Sequence, residues 1–286
     1  SVVTGSEDYI EDISSVSTAR DTDGVISDST NRGAVKGDLN VGGIVGTMNI
    51  EYDVDPEFDM DLTKTTNIAL RSTVNCVVIS CSNYGEANAK KNCAGGITGL
   101  QELGLIYGSE GYGSVLSDAG SYAGGIVGNS ASAVSDSYSL CNVEGKDYAG
   151  GIAGRCDNTI RDSYVLSGVS GDGYVGGVAG RAEDVSGNYV CSYLDMDSYV
   201  KSSGAVVGKA DGVVKDNYFV DNGYGAVDGV TREAEAVPMD YASLLNLKTM
   251  PENFQKFTIR FMDGDEVIWQ NTFSYGDVLT EAHLHR

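Results

Sequence analysis

Histidine is scarce: the 286-residue chain has two, His283 and His285, both within its last four positions. A zinc hydrolase wants two histidines on one helical turn with a glutamate between them, plus a third ligand, and Glu281, Ala282 and His283 do not supply that pattern. Basic residues are also few, 19 Lys and Arg against 41 Asp and Glu, for a formal net charge of −22. Nucleic acid is therefore not an expected partner, because affinity there rests on Lys and Arg neutralising phosphates. The same charge disfavours anionic membrane surfaces, and more simply keeps copies of the chain apart and soluble. The six cysteines, Cys76, Cys81, Cys93, Cys141, Cys156 and Cys191, include no pair separated by two residues, which argues against zinc ribbons and dithiol redox motifs. No stretch before residue 239 has the periodicity of an amphipathic helix. Nor does the chain carry a signal peptide or a membrane-inserting segment. It opens on Ser1 rather than Met and stops at Arg286, so a fragment is expected, and that absence says nothing about the parent protein.

What is present is repetition. Six times the chain runs through two small residues, an aliphatic, a second aliphatic or small residue, and glycine. The closing residues are Gly46, Gly99, Gly128, Gly154, Gly180 and Gly208, at intervals of 53, 29, 26, 26 and 28, the first being about two periods. A second column keeps phase with it. Val134, Asp136, Ser137, Tyr138 recurs as Ile160, Asp162, Ser163, Tyr164, as Val185, Asn188, Tyr189, and as Val214, Asp216, Asn217, Tyr218. Earlier copies read Ile26, Asp28, Ser29 and, displaced by one residue, Ile79, Cys81, Ser82, Asn83, Tyr84. Tyr122, Tyr148 and Tyr174 form a third column just ahead of three glycine phrases. A constant period means a chain built by stacking one unit.

The marked stretches are short, rich in Val, Ile and Tyr, and bounded by Gly, Ser, Asn and Asp, as strands separated by turns are. The expected fold is all-β: a parallel β-helix (β-solenoid) of coils of roughly 26 residues, with equivalent residues one strand spacing of roughly 4.8 Å apart and a short helical and β C-terminal cap. About seven coils would make a body roughly 35 Å long. Glycine, 38 of 286 residues, serves where the coil turns or packs closely, since without Cβ it reaches positive φ freely. The first aliphatic of the phrase, Ile44, Ile97, Ile126, Ile152, Val178 or Val206, is expected to point inward. The next, which includes Thr98, is expected to be less constrained, facing out or into a corner.

Three regions follow: the solenoid over 1–220, a cap or linker with a short helix over 221–256, and a β-hairpin over 257–286 as part of a further module. Residues 1–24 are expected to contain the N-terminal cap. In the second region Met239, Leu244, Leu245 and Leu247 form a short apolar helix opened by Pro238 and Asp240 and closed near Pro251. In the third, Phe257, Ile259 and Phe261 alternate up to a turn at Asp263 and Gly264, and Val267, Trp269 and Phe273 alternate back. An insertion occupies about 47–73, where Tyr52, Val54, Phe58, Met60 and Leu62 alternate with Asp53, Asp55, Glu57, Asp59 and Asp61. That is a half-buried strand with an acidic face. Its spacing lacks the central glycine and terminal glutamate of a helix-loop-helix calcium site, so no metal is assigned.

Asp136, Asp162 and Asp216 align in the repeat, but identical acids inside a repeating turn phrase are architecture before they are catalysis. The tyrosine columns read as packing ladders ahead of sugar-stacking platforms. The cysteines read as mostly buried free thiols, with Cys141 and Cys191 at comparable repeat positions. No catalytic residue, metal or cofactor is expected, and no binding residue is singled out.

The phrases Asp147, Tyr148, Ala149, Gly150, Gly151, Ile152, Ala153, Gly154 and Gly173, Tyr174, Val175, Gly176, Gly177, Val178, Ala179, Gly180 resemble the GLUG motif of bacterial secreted and surface proteins, over roughly residues 25–220. The copy Gly204, Ala205, Val206, Val207, Gly208 departs by losing the second glycine. Phe257 to Leu279, with Tyr275, Gly276 and Asp277, resembles the start of a Listeria-Bacteroides type repeat. These resemblances imply a non-catalytic extracellular scaffold, secreted or at the cell surface: an adhesin or stalk whose partner is a host or cell-surface protein or glycan. Alternatives are the non-catalytic repeat region of a secreted immunoglobulin-A-cleaving metalloprotease, or a carbohydrate-active β-helix.

Overall fold

Short runs of Val, Ile and Tyr broken by Gly, Asn and Asp do not propagate a helix. Their branched and aromatic side chains lose rotamer freedom there, and the small polar residues compete for the backbone. They pair laterally instead. The computed structural model describes residues 24–49, 76–196, 200–250, 254–264, 266–274 and 277–278. The chain divides into two compact units between Pro238 and Met239.

The first unit is a parallel β-solenoid whose strands assemble into three sheets of 11, 12 and six strands. One winding runs Ala133–Ser135 in the first sheet, Tyr138–Ser139 and Val143–Gly145 in the second, Tyr148–Gly150 in the third, and from Ala153 back in the first. Among the described residues the third sheet holds one strand per winding, six in all, and Val214–Lys215 and Asn217–Val220 open a further winding. In the early windings each repeat's three marked stretches thus resolve into five short strands, which from Ala153 onward merge into longer ones such as Ala153–Arg161 and Tyr164–Gly171. Successive windings stack in register: Ile26, Val78, Ile106, Val134, Ile160, Val185 and Val214 form one column, fully buried from Val78 to Val185. Val25–Ser27 pairs directly with Val77–Ile79, so the long segment between the first two windings leaves the stack uninterrupted. The expected acidic strand from Tyr52 to Leu62, and the expected N-terminal cap apart from Gly24, lie outside the described residues.

The glycine phrase forms the corner between the third and first sheets. Its first aliphatic points inward as expected: Ile97, Ile126, Ile152, Val178 and Val206 are wholly buried, and Ile44 in the first winding is half-buried against the same core. The following residue takes the corner, one of its two expected places, but is no less constrained there: Thr98, Val127, Ala153, Ala179 and Val207 are also wholly buried, while Val45 in the first winding is half-buried. The hydrogen bonds give the reason. Ile126 N–H and Val127 N–H both donate to the Ile152 carbonyl, at 2.9 Å each, and Ile97 and Thr98 share the Ile126 carbonyl in the same way. Two successive amides on one acceptor bend the strand, so its side chains do not alternate in and out. Thr98 is accommodated by donating its hydroxyl to the Met48 sulfur at 3.8 Å.

The glycines of this phrase are required by contact and not by positive φ. A Cβ on Gly150 would lie 2.1 Å from the Ala153 carbonyl oxygen and 2.5 Å from Ala179 Cα in the next winding. A Cβ on Gly151 would lie 2.2 Å from the Gly177 oxygen. In the last copy Ala205 replaces that second glycine, and what it faces is a turn: Ala205 and Val206 N–H groups donate to Gly225 and Ala226 at 2.8 and 2.9 Å. Ala226, Val227 and Ala236 are buried in the same core, so segment 221–238 closes this end of the stack.

The second unit contains the helix Tyr241–Leu245. Asp240 caps it, accepting from Ser243 N–H at 2.9 Å, and the helix ends at Asn246. Strands Lys256–Asp263 and Glu266–Ser274 then form the expected antiparallel hairpin. Gly264 turns it at φ 59°, and Trp269 packs on Phe261 with ring centroids 5.1 Å apart.

Candidate functional site

The aspartate column occupies the corner between the first and second sheets. There each winding places one residue in the left-handed region: Asp28, Ser80, Gly108, Asp136, Asp162, Gly187 and Asp216, with φ between 50° and 68°. Asp and Asn tolerate that conformation better than other side chains bearing a Cβ, which explains the repeated acid without chemistry. The three acids do not form one continuous ladder, because Gly187 stands between Asp162 and Asp216. Asp136 and Asp162 are neighbours. Burial first, then the Asp136 charge, raises the Asp162 carboxyl above its usual range, while Arg161 opposes the shift.

Behind that corner lies a feature the sequence showed as a column but not as a device. Ser109 N–H donates to Ser137 Oγ at 3.3 Å, Ser137 N–H to Ser163 Oγ at 3.2 Å, Ser163 N–H to Asn188 Oδ1 at 3.0 Å, and Asn188 N–H to Asn217 Oδ1 at 3.0 Å. Each of these side chains in turn donates to the carbonyl two residues before it, as Ser137 does to Ser135 at 2.9 Å. All five are wholly buried. The left-handed corner would leave one amide per winding unpaired, and the next winding's side chain supplies the acceptor. Cys81 continues the column toward Ser29 of the first winding, its N–H on Ser109 Oγ at 3.3 Å. This places Cys81 opposite Ser137 and Ser82 opposite Tyr138 through Glu110, so the early copy is not displaced. Tyr84 belongs to a separate pair with Tyr112, rings 4.7 Å apart.

Seven other tyrosines form two packing ladders. Tyr138, Tyr164, Tyr189 and Tyr218 stack at 5.1, 5.0 and 5.5 Å, and Tyr122, Tyr148 and Tyr174 at 5.1 Å each. A ring sandwiched in this way has no free face for a sugar. Beside the second ladder Arg155, Arg181 and Lys209 line up in register. Their charges are met by Asp157, 2.8 Å from Arg155, and by Asp211, which pairs with Arg181 and Lys209.

All six cysteines are free, four buried and two half-buried. Cys191 stands opposite Leu166, whereas Cys141 is two residues past the Ser139 to Val165 pair, so the two do not share a repeat position. Desolvation pushes the Cys93 and Cys141 thiols up to about 11 and Cys156 up to about 12, from 9.0. A thiol whose folded pKa is raised stabilises the fold fully below its unfolded pKa and loses that contribution as pH rises through the folded value. Thermal midpoints are therefore expected to fall between pH 9 and about 12. Melts at stepped pH, with thiol titration showing these three unreactive until unfolding, check this; a midpoint rising through that window would contradict the burial.

Outward side chains of the second sheet line two connected depressions, about 450 and 340 Å³, that share Glu144, Ser170 and Asp195. Asp118, Asp172 and Lys146 edge the larger, and Leu116, Asn142 and Tyr193 the smaller. Among the described residues no cluster of three or more His, Cys, Asp or Glu is arranged to hold a metal, and no helix is long and apolar enough to cross a membrane. His283 and His285 and the five carboxylates of the acidic segment lie outside the described residues.

The stacked windings and their buried ladders define the class: a parallel β-solenoid repeat protein. No family model matches the chain, and no curated protein matches it. A solved structure from Bacteroides ovatus, provisionally described as an immunoglobulin A1 protease, is 19% identical with a TM-score of 0.43. The match takes in 59% of this chain and 63% of that one.

Proposed function

We propose that this chain is a non-catalytic extracellular repeat scaffold of the GLUG kind, a stalk or adhesin segment of a bacterial surface protein. One observation carries the reading: the residues that recur are engaged inside the stack. The repeated acids hold left-handed corners, the repeated Ser and Asn pair corner amides, and the repeated tyrosines cover one another's faces. A repeat that encodes packing at every marked position builds a rigid spacer. The formal charge of −22 suits display, since it opposes association between copies.

Protease shaving and antibody labelling of intact cells test the location, and incubation of the purified chain with polysaccharides and host proteins tests the chemistry. The expected result is surface exposure with no new reducing ends and no cleaved peptide bonds. Turnover that tracks the purified chain, or confinement to the cytosol, overturns the reading. A wall anchor or further repeats in the parent sequence assigns the adhesin; a zinc-protease motif assigns the same scaffold to a secreted enzyme.

A further inference from the structure

We infer that the depression over the second sheet is a binding site for a neutral oligosaccharide, with Tyr193 as its aromatic platform. Tyr193 differs from every tyrosine of the ladders. It is 66% exposed, and the residue opposite it in the preceding winding is Gly168, so no ring covers that side. Gly168 also opens the floor: a Cβ there would come within 2.8 Å of Asn142 Oδ1 in the winding before. The gap between Tyr193 and Asn142 is therefore made by the missing side chain of one glycine.

The polar groups around the gap are uncommitted. Asn142, Glu144, Ser170 and Asp195 line it, and among the described residues none of their side chains is engaged by another protein group. An aromatic face beside amide, hydroxyl and carboxylate oxygens matches a pyranose, which offers an apolar ring face and a rim of hydroxyl donors. The surplus of carboxylates repels uronic acids, sulfated glycans and phosphates. The depressions extend from Glu86 in the second winding to Asp195 in the sixth, four strand spacings or roughly 19 Å, which suits a short oligosaccharide better than a single sugar. A peptide is the poorer occupant. Strand addition needs a free sheet edge, whereas the strands beneath this groove are paired on both sides from Ala87–Ala89 to Val169, and on the outer strand, which is paired onward only at Tyr189 and Val190, the Ser192 and Leu194 carbonyls already accept from Asn222 and the Tyr224 hydroxyl.

The site names a partner for the scaffold proposed above and rests on that reading only in predicting binding without turnover. The test titrates the purified chain with neutral β-linked glucan, mannan and N-acetylglucosamine oligosaccharides, with polygalacturonate as the anionic counterpart and oligolysine as a basic peptide. Saturable binding of a neutral oligomer is expected, weakened about tenfold in Tyr193→Ala and retained in Tyr193→Trp. The melting temperature of Tyr193→Ala should match wild type, because the side chain is mostly in water. Three results overturn the site: no neutral oligomer binds, binding is indifferent to Tyr193→Ala, or only polygalacturonate or oligolysine binds. New reducing ends alongside Tyr193-dependent binding would instead leave the site standing and remove the non-catalytic reading.

Discussion

Gly150→Ala is expected to destabilise the solenoid by about 3 kcal/mol or more, the loss being read by denaturant titration against wild type. The added methyl would sit 2.1 Å from the Ala153 carbonyl oxygen, 2.5 Å from Ala179 Cα and 2.8 Å from the Val178 oxygen. All three are backbone, so no rotamer change relieves the overlap. The Ala153 oxygen belongs to the residue's own corner and the other two to the next winding, so relief in one place worsens the fit in the other. Gly33→Ala is the internal control: its nearest neighbour would be Asn31 Oδ1 at 3.7 Å. A substitution there is expected to be neutral or slightly stabilising, because alanine restricts the unfolded chain at no steric cost. Equal effects at the two positions would show that conformational freedom, and not contact between windings, is what the repeated glycine provides.

That distinction marks where the sequence was legible and where it was not. Period, strand character and parallel stacking could all be read, because stacking puts the same residue type at the same place in every winding and so writes itself as recurrence. Ile126, Ile152 and Val178 were assigned inward on that basis, and they are. Ala153 was left to face out or into a corner, and it lies buried in the corner, because alternation holds for a straight strand and here two amides share the Val178 carbonyl at 2.8 and 3.1 Å. Close approach falls to Gly150 and its equivalents, as expected of glycine, while four of the seven left-handed residues at the corner between the first and second sheets are Asp. The groove was invisible for the opposite reason. Running along it, the outward residues Glu86, Ser114, Asn142, Gly168 and Tyr193 differ in every winding. A search for recurrence finds the scaffold and passes over a site made from positions that do not recur.

Ile152→Asp should cost more than any surface change, several kcal/mol at neutral pH. Ile152 is wholly buried, its N–H on the Val178 carbonyl at 2.8 Å and its own carbonyl taken by Ile126 and Val127. Its side chain belongs to the single core cluster that also holds Ile126 and Val178, which offers a carboxylate no cation. The pH dependence separates this cause from simple loss of volume. Desolvation raises the folded pKa of such an acid above its unfolded value, so the variant is least impaired below the unfolded pKa and loses stability as pH rises through the folded one. Denaturation midpoints for Ile152→Asp should therefore approach those of Ile152→Asn at acid pH and fall below them at neutral pH. Ile152→Val should cost only about 0.5–1.5 kcal/mol at either pH. If the aspartate variant tracked the asparagine variant at every pH, the carboxylate would be reaching water, and residue 152 would not lie between equivalent residues of the windings on either side.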